Sequence, residues 1–234
     1  MTSVSTHISN TDSQVLPQEI VCDVLVVGAG PAGLFSAISI LEKAPQAHVI
    51  VIDHARKPGR KLLIAGGGQC NFTHAGSIKD FLSHYNATPS LIRKVLYGFN
   101  NEALRSWFAE QGVESIVRED GKVFPTSLKS GDVLTALLHA LHSAGGVLMQ
   151  NVEPANIKIQ EATLRETSKA DAEVTVTTRA DSEQGDVVIN ARRLIVATGG
   201  CTYPKTGSDG SFFPLLQVLQ SAGIHLLKYR HFQM

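Results

Sequence analysis

Cysteine is scarce in this chain: Cys22, Cys70 and Cys201 are the only three among 234 residues, and no two of them form a CxxC pair. That count excludes a disulfide framework and fits a reducing cytosol, so a cytoplasmic protein is expected. Aromatic residues are few, at 6%, and charged ones make up 18% against 43% hydrophobic, the balance of an ordinary folded domain and not of a disordered chain. Neither sign of charge dominates, with 21 Lys+Arg against 21 Asp+Glu. No basic stripe with interleaved aromatics is visible, so neither nucleic acid nor an anionic membrane is the expected partner. An uninterrupted apolar run of membrane length is missing too. Val21 to Leu41 comes nearest, and Asp23, three glycines and Pro31 break it. Met1 to Gln18 is rich in Ser and Thr without an apolar core, which argues against a secretory signal and leaves a flexible tail over residues 1–20 as the expectation.

What is present is concentrated between Val24 and Asp53. A short apolar run, Val24 to Val27, leads into Gly28-Ala29-Gly30-Pro31-Ala32-Gly33, then a helical run from Leu34 to Leu41, then His48 to Ile52 and the acid Asp53. This order is what a nucleotide pyrophosphate requires. Gly28 permits the tight turn, Gly30 lets the backbone approach phosphate, and Gly33 lets the helix lie close to the sheet. The helix N-terminus then offers unpaired N–H groups and a partial positive charge to the anion. Asp53 stands where a carboxylate can accept hydrogen bonds from an adenosine ribose. A lone glycine fingerprint is weak; one set between two strands with the acid in register is strong. The chain is expected to bind a dinucleotide.

Beyond Asp53 come the basic residues Arg56, Lys57, Arg60 and Lys61 and the triple glycine Gly66-Gly67-Gly68, which imply backbone held close to something or turns of positive φ. A helical region is expected from about Pro89 to Gln111, broken near Gly98, with Asn100 or Asn101 capping its second piece and Leu104, Trp107 and Phe108 in the core. Ser130 is read as the cap of a further helix whose stripe Val133, Leu134, Leu137, Leu138, Leu141 ends at Gly145-Gly146. Val147 to Met149 reads as a buried parallel strand. Ile157/Ile159, Val174/Val176 and Val187 to Ile189 read as a small antiparallel meander near residues 157–190, with turns near Lys169 and Gln184. Leu194 to Ala197 is a separate buried strand ending in Thr198-Gly199-Gly200. Length and pattern together give one α/β domain over residues 21–234.

Three further segments sharpen the cofactor: Gly59 to His74 with its GGGQCNFTH block, Asp120 to Ser127, and Ala197 to Gly210. With the fingerprint they resemble the HI0933-like or BaiN-type family of FAD-dependent flavoprotein oxidoreductases, within the glutathione-reductase-like fold. The resemblance runs from Val21 to Leu226 and implies an FAD-binding Rossmann domain. It implies that Gly28, Gly30, Pro31, Ala32 and Gly33 hold the pyrophosphate and Asp53 the adenosine ribose. Arg60 and Lys61 would lie near the phosphates or ribityl chain. Gly67, Gly68, Cys70, Asn71 and Thr73 would pass the flavin ring, Val152 would meet the adenine through its backbone, and Thr198-Gly199 would approach the cofactor again. The implied activity is hydride transfer at flavin N5 to or from a small organic substrate, through a conjugated double bond or an amine, with NAD(P)H as a candidate electron source.

The chain also departs from that pattern. Gln69 and Lys122 stand where the family has Arg, His74 where it has Asn, and Cys201 where it has a polar residue. Family members continue past Ala222-Gly223-Ile224 into a substrate domain and a segment closing over the flavin, so this chain reads as a C-terminally truncated member. Two rival readings stay open: an NAD-dependent dehydrogenase without flavin, and a non-catalytic FAD-binding remnant. Smaller features receive plain readings. Cys70 and Cys201 are core thiols in preference to a redox pair, and His74 is a polar loop residue in preference to an acid or base. His139 and His142 form a solvated face in preference to a metal site. Tyr203 and Lys205 are either substrate contacts or loop anchors.

Overall fold

The alternation of apolar side chains along the first two strands determines the architecture. The computed structural model describes residues 19–85, 89–160, 173–180 and 187–221. Strand β1 (Glu19–Val27) leads through the glycine turn into helix α1 (Pro31–Lys43) and strand β2 (Val49–Asp53). The tail expected over residues 1–20 lies outside the described residues except for Glu19 and Ile20, which already belong to β1. β1 and β2 pair in parallel, with Val24 opposite Val49 and Val27 opposite Ile52. Val26, Val49 and Val51 face one core, against Leu34, Ala37, Ile38 and Leu41 of α1. Leu25, Val27, Ile50 and Ile52 face a second core on the other side of the sheet. Coverage of both faces is why these strands are almost wholly apolar. Each fully buried Leu or Ile here contributes about 1.5–3 kcal/mol.

A second helical layer packs on α1. Helix α2 (Arg60–Ile64) and the tight turn Ala65–Gly68 lead to a two-residue strand β3 (Thr73–His74) and helix α3 (Ile78–Ser83). Helices α4 (Pro89–Gly98) and α5 (Asn101–Glu110) follow, broken at Gly98 as their sequence indicates. Asn100 caps α5, its side chain accepting from the Ala103 amide at 2.8 Å. Asn101 is instead buried and donates to the carbonyls of His74 and Gly76. Strands β4 (Ser115–Val117) and β5 (Lys122–Pro125) join β3 in a separate three-stranded sheet, order β3-β5-β4. Aromatic rings meeting edge-on or tilted tie this unit to the main body: by ring centroids, Phe35 of α1 lies 4.9 Å from Trp107, Trp107 5.1 Å from Phe108, and Phe108 5.1 Å from Phe72.

Helix α6 (Ser130–Ser143) then leads to β6 (Val147–Gln150), which pairs in parallel with β2. Ser130 does not cap α6; Lys129 occupies that position, and Ser130 Oγ donates to the Leu63 carbonyl at 2.8 Å, pinning α6 to α2. The chain closes with β7 (Val152–Gln160), β8 (Glu173–Ala180), β9 (Val188–Val196) and helix α7 (Phe213–Ser221). The turns expected near Lys169 and Gln184 lie outside the described residues. β7, β8 and β9 form the antiparallel meander, and here the structure corrects the sequence reading. Val188-Ile189 and Leu194 to Val196 are two ends of one strand, because β9 pairs in parallel with β1 along its length, while β8 pairs antiparallel with its first part, Val188 to Ala191. The result is a single six-stranded mixed sheet, order β6-β2-β1-β9-β8-β7.

Candidate nucleotide cleft

From β1 the chain turns to β2 on one side, while β9 lies on the other. Such a switch of direction leaves a crevice at the carboxyl ends of the strands, where open α/β sheets bind ligands. A cleft occupies this position, floored by Val27, Ile52 and Ala197 at three strand ends. Gly28 has φ 106°, and a Cβ there would lie 2.5 Å from the Ala197 carbonyl oxygen. A Cβ on Gly33 would collide with the Gly28 carbonyl oxygen. These two glycines let the turn and α1 close on the sheet. Gly30 differs: a Cβ there would meet nothing within 4 Å, because it faces the open cleft.

The start of α1 suits an anion. Gly30 is its N-cap and supplies no side-chain hydrogen bond, Pro31 opens the helix, and the first turn carries no acidic residue. The first-turn amides therefore keep their donor capacity and the local dipole field is not cancelled by a neighbouring carboxylate. Across the cleft, Asp53 Oδ2 accepts from the Ala29 amide at 2.7 Å and Oδ1 from the Ala55 amide at 2.8 Å. Each carboxylate oxygen has a second lone pair, so a partly exposed Asp53 retains acceptor capacity for ribose hydroxyls. Helix dipole, open backbone and acceptor carboxylate fit an adenine dinucleotide such as FAD.

The other candidate residues fall into two groups. Pro31, Ala32, Arg60, Lys61, Thr198 and Gly199 line the cleft together with Gly28, Gly30 and Asp53. Gly67, Gly68, Cys70, Asn71 and Thr73 do not; they lie beyond α2, along the small sheet. Cys70 is buried, adopts φ 61°, and burial pushes its thiol up to about 11. The Asn71 amide, with its nitrogen turned toward both acceptors, donates to the carbonyls of Val123 at 3.1 Å and Thr73 at 2.7 Å. Val152 is fully buried in the second core, and its neighbours Glu153 and Pro154 reach the cleft instead.

Several cleft residues were not among the expected site residues. His54, Lys57, Thr206 to Phe212 and Leu215 line it because the segment after β9 folds back over β2. Gly207 makes room for the His54 ring, to which a Cβ would come within 2.9 Å. Arg60 Nη2 donates to the Lys205 carbonyl at 2.6 Å, and Lys61 Nζ to Thr202 Oγ1 at 3.2 Å while lying 5.1 Å from the Tyr203 ring centroid. The basic pair thus holds this strap, and Tyr203 and Lys205 are anchors within it. Asp209, at the strap's end, is held below the usual carboxylate range, first by the Ser211 amide and then by its hydroxyl. In sequence the clues were Lys57 among the basic residues after Asp53 and the segment Ala197 to Gly210; His54, Ser211, Phe212 and Leu215 carried none.

The remaining titratable candidates are structural. Both His74 ring nitrogens face carbonyls, those of Ala75 and Asp120, which joins β3 to the β4–β5 turn. Gln69 accepts from Arg118 Nη2 at 2.6 Å. His139 and His142 are exposed on α6, and among the described residues no cluster of metal-binding side chains occurs. No helix among the described residues is long and apolar enough to cross a membrane.

Comparison with known proteins agrees with this architecture. The chain is 29% identical over 207 residues to a protein of Haemophilus influenzae named ribosomal RNA dihydrouridine synthase, covering 88% of this chain and 46% of that one. It is 27% identical over 190 residues to the 3-dehydro-bile acid delta(4,6)-reductase of Clostridium scindens, covering 81% of this chain and 42% of the relative. The chain therefore spans about half the length of the curated relatives it matches. In structure it resembles the 3-ketosteroid-delta4-(5alpha)-dehydrogenase of Rhodococcus jostii, with TM-score 0.59 and 16% identity over 89% of this chain and 56% of that one, which speaks for the fold alone. The profile of the HI0933-like protein Rossmann domain matches residues 22–228, from inside β1 to beyond α7. The chain belongs to the HI0933-like Rossmann-domain family.

Proposed function

We propose that the chain is the FAD-binding part of an oxidoreductase that reduces a carbon–carbon double bond conjugated to a carbonyl. The single observation that carries the cofactor assignment is the pairing, across one cleft, of an uncapped, acid-free helix N-terminus with the Asp53 carboxylate. In this reading the turn Gly28 to Gly33 holds the pyrophosphate: Gly28 and Gly30 let the backbone approach, Pro31 opens the helix, the Ala32 and Gly33 amides donate, and Asp53 orients the ribose. Arg60 and Lys61 keep the strap over the phosphates, Thr198-Gly199 closes the third side, and the backbone around Val152 borders the adenine. Gly67, Gly68, Cys70, Asn71 and Thr73 run along the flavin ring. FAD bound in this way would supply hydride transfer at its N5, with NAD(P)H as the source of electrons.

The reaction class is supported by the names of the relatives. A dihydrouridine synthase saturates a ring double bond of uracil conjugated to a carbonyl, and a 3-dehydro delta(4,6)-reductase saturates double bonds conjugated to a ketone. Their substrates differ in size and class; the bond reduced is chemically alike.

A visible spectrum of the purified chain tests the proposal. Yellow protein with bound flavin, bleached anaerobically by NADPH and recoloured by a conjugated steroid ketone or by a uracil-containing RNA, supports it, and the acceptor that works identifies the substrate class. A colourless folded chain that binds NAD favours the dehydrogenase instead. A colourless chain that melts early or aggregates favours the remnant, which would bind FAD only weakly or with a partner chain.

A further inference from the structure

Among the described residues four polar side chains are buried: Asn101, Ser130, Thr178 and Ser208. Three find their partners inside the protein. Asn101 donates to the carbonyls of His74 and Gly76, Ser130 Oγ to that of Leu63, and Thr178 Oγ1 to that of Val187 at 3.0 Å. Ser208 does not. It is 7% exposed, and its hydroxyl has no hydrogen-bond partner among the described residues. A hydroxyl taken out of water without a replacement bond is costly, and such groups are rare.

Ser208 belongs to the strap and lines the nucleotide cleft. Its backbone is held by an antiparallel bridge to Tyr203, and Gly207 before it turns with φ 88°. The hydroxyl is turned toward Gly199, another cleft residue: a Cβ on Gly199 would lie 3.0 Å from Ser208 Oγ and 3.7 Å from Ser208 Cβ. On the Gly199 side the chain runs back to Thr198, whose Cα would be 3.1 Å from a Cβ on Gly28. On the other side Gly207 packs on the His54 ring, and His54 Nδ1 is 3.7 Å from Asp53 Oδ1. The unpartnered hydroxyl thus stands between the glycine turn that opens α1 and the acid that ends β2.

We propose that Ser208 is a binding residue for the adenosine diphosphate half of the coenzyme, its hydroxyl bonding an oxygen of that half. The inference rests on the dinucleotide reading above; FAD and NAD share this half, so it holds for either. A hydroxyl can donate to a phosphate oxygen or accept from a ribose hydroxyl. Because no bond within the protein has to break, the strap is organised for the ligand before it arrives.

The test uses the full chain, titrated with FAD by flavin fluorescence and with ADP and adenosine by calorimetry. Ser208→Ala is expected to melt at the wild-type temperature or slightly above it, since the hydroxyl bonds nothing in the ligand-free chain. FAD and ADP should both weaken about tenfold, the loss of one hydrogen bond. A defect that persists with adenosine identifies a ribose hydroxyl as the partner, and one confined to ADP identifies a phosphate oxygen. Unchanged affinity for FAD and ADP would mean that only water meets the hydroxyl, and overturns the inference. So does a variant that melts well below the wild type or does not fold, because the hydroxyl then serves the strap. Weaker FAD with unchanged ADP moves the contact to the flavin half and also overturns it. A wild-type chain that binds FAD, NAD and ADP not at all overturns the dinucleotide reading and this inference together, whereas wild-type binding with an unchanged variant overturns the inference alone.

Discussion

At the turn between β1 and α1, Gly33 is needed because there is no room: its φ is ordinary, but a Cβ would strike the Gly28 carbonyl oxygen. At the turn after α2 the situation is reversed. Gly67 has open space around it and φ 67°, so only its torsion demands glycine. Between these cases stands Gly30, with φ −78° and nothing within 4 Å, which the polypeptide itself does not require to be glycine at all. One residue type thus serves three purposes: packing a helix on a sheet, holding a left-handed turn, and leaving space for a ligand. The first turn is built into the core. The second is propped from outside by the β4–β5 hairpin and presents its backbone outward.

Substitutions can break or sharpen this contrast. Gly33→Val should have the largest effect, about 3 kcal/mol or more of destabilisation, because the obstacle is main chain and cannot move aside. Thermal unfolding measures it, and a melting point near that of the wild type would remove the packing argument. Gly30→Val should leave stability within about 0.5 kcal/mol. Its FAD affinity should fall more than about tenfold, or about 1.4 kcal/mol, as read by equilibrium titration. Equal losses in stability and affinity would show Gly30 to be structural. Gly67→Ala should cost about 1–2 kcal/mol, the penalty of left-handed backbone, with Gly67→Asn costing less. If chemical denaturation ranks Gly67→Ala with Gly33→Val, the two turns do not differ as described.

The smallest effect concerns the end of the second turn. Cys70 is buried and its thiol is raised from 9.0 to about 11. Burial favours the protonated form, so the stability this confers is complete below about pH 9 and is lost as pH rises through about 11. At pH 8 the folded chain should hold on the order of a hundredfold less Cys70 thiolate than the unfolded chain. Iodoacetamide labelling read by mass spectrometry should be correspondingly slow, and rapid labelling would mean the turn opens readily.

Much of the main body was legible in sequence. The run Val24 to Asp53 carries continuous apolar strands, a glycine turn and a helical stripe at once, each pointing to the same unit. The break at Gly98 and the Asn100 cap were legible because capping is local chemistry. The small sheet was not, since β3, β4 and β5 span two to four residues each and show no period. The continuity of β9 was hidden by Asn190, Arg192 and Arg193, polar residues that look like a break until β1 pairs on either side of and within this stretch. Ser130 was misread because an oxygen at a helix start caps it as readily as it reaches a distant carbonyl such as that of Leu63.

Local pattern alone determined the β1–α1–β2 unit, the acid at its end and the presence of an anion-ready helix terminus, because periodicity, turn chemistry and the dipole depend only on neighbours along the chain. Tertiary structure decided that Arg60 and Lys61 grip a strap from beyond β9, that Glu153 and His54 border the cleft, and that Arg118 donates to Gln69 from 49 residues further along the chain. Those pairings join segments far apart in sequence. No local spacing encodes them, and only the burial of two cores on one sheet brings them together.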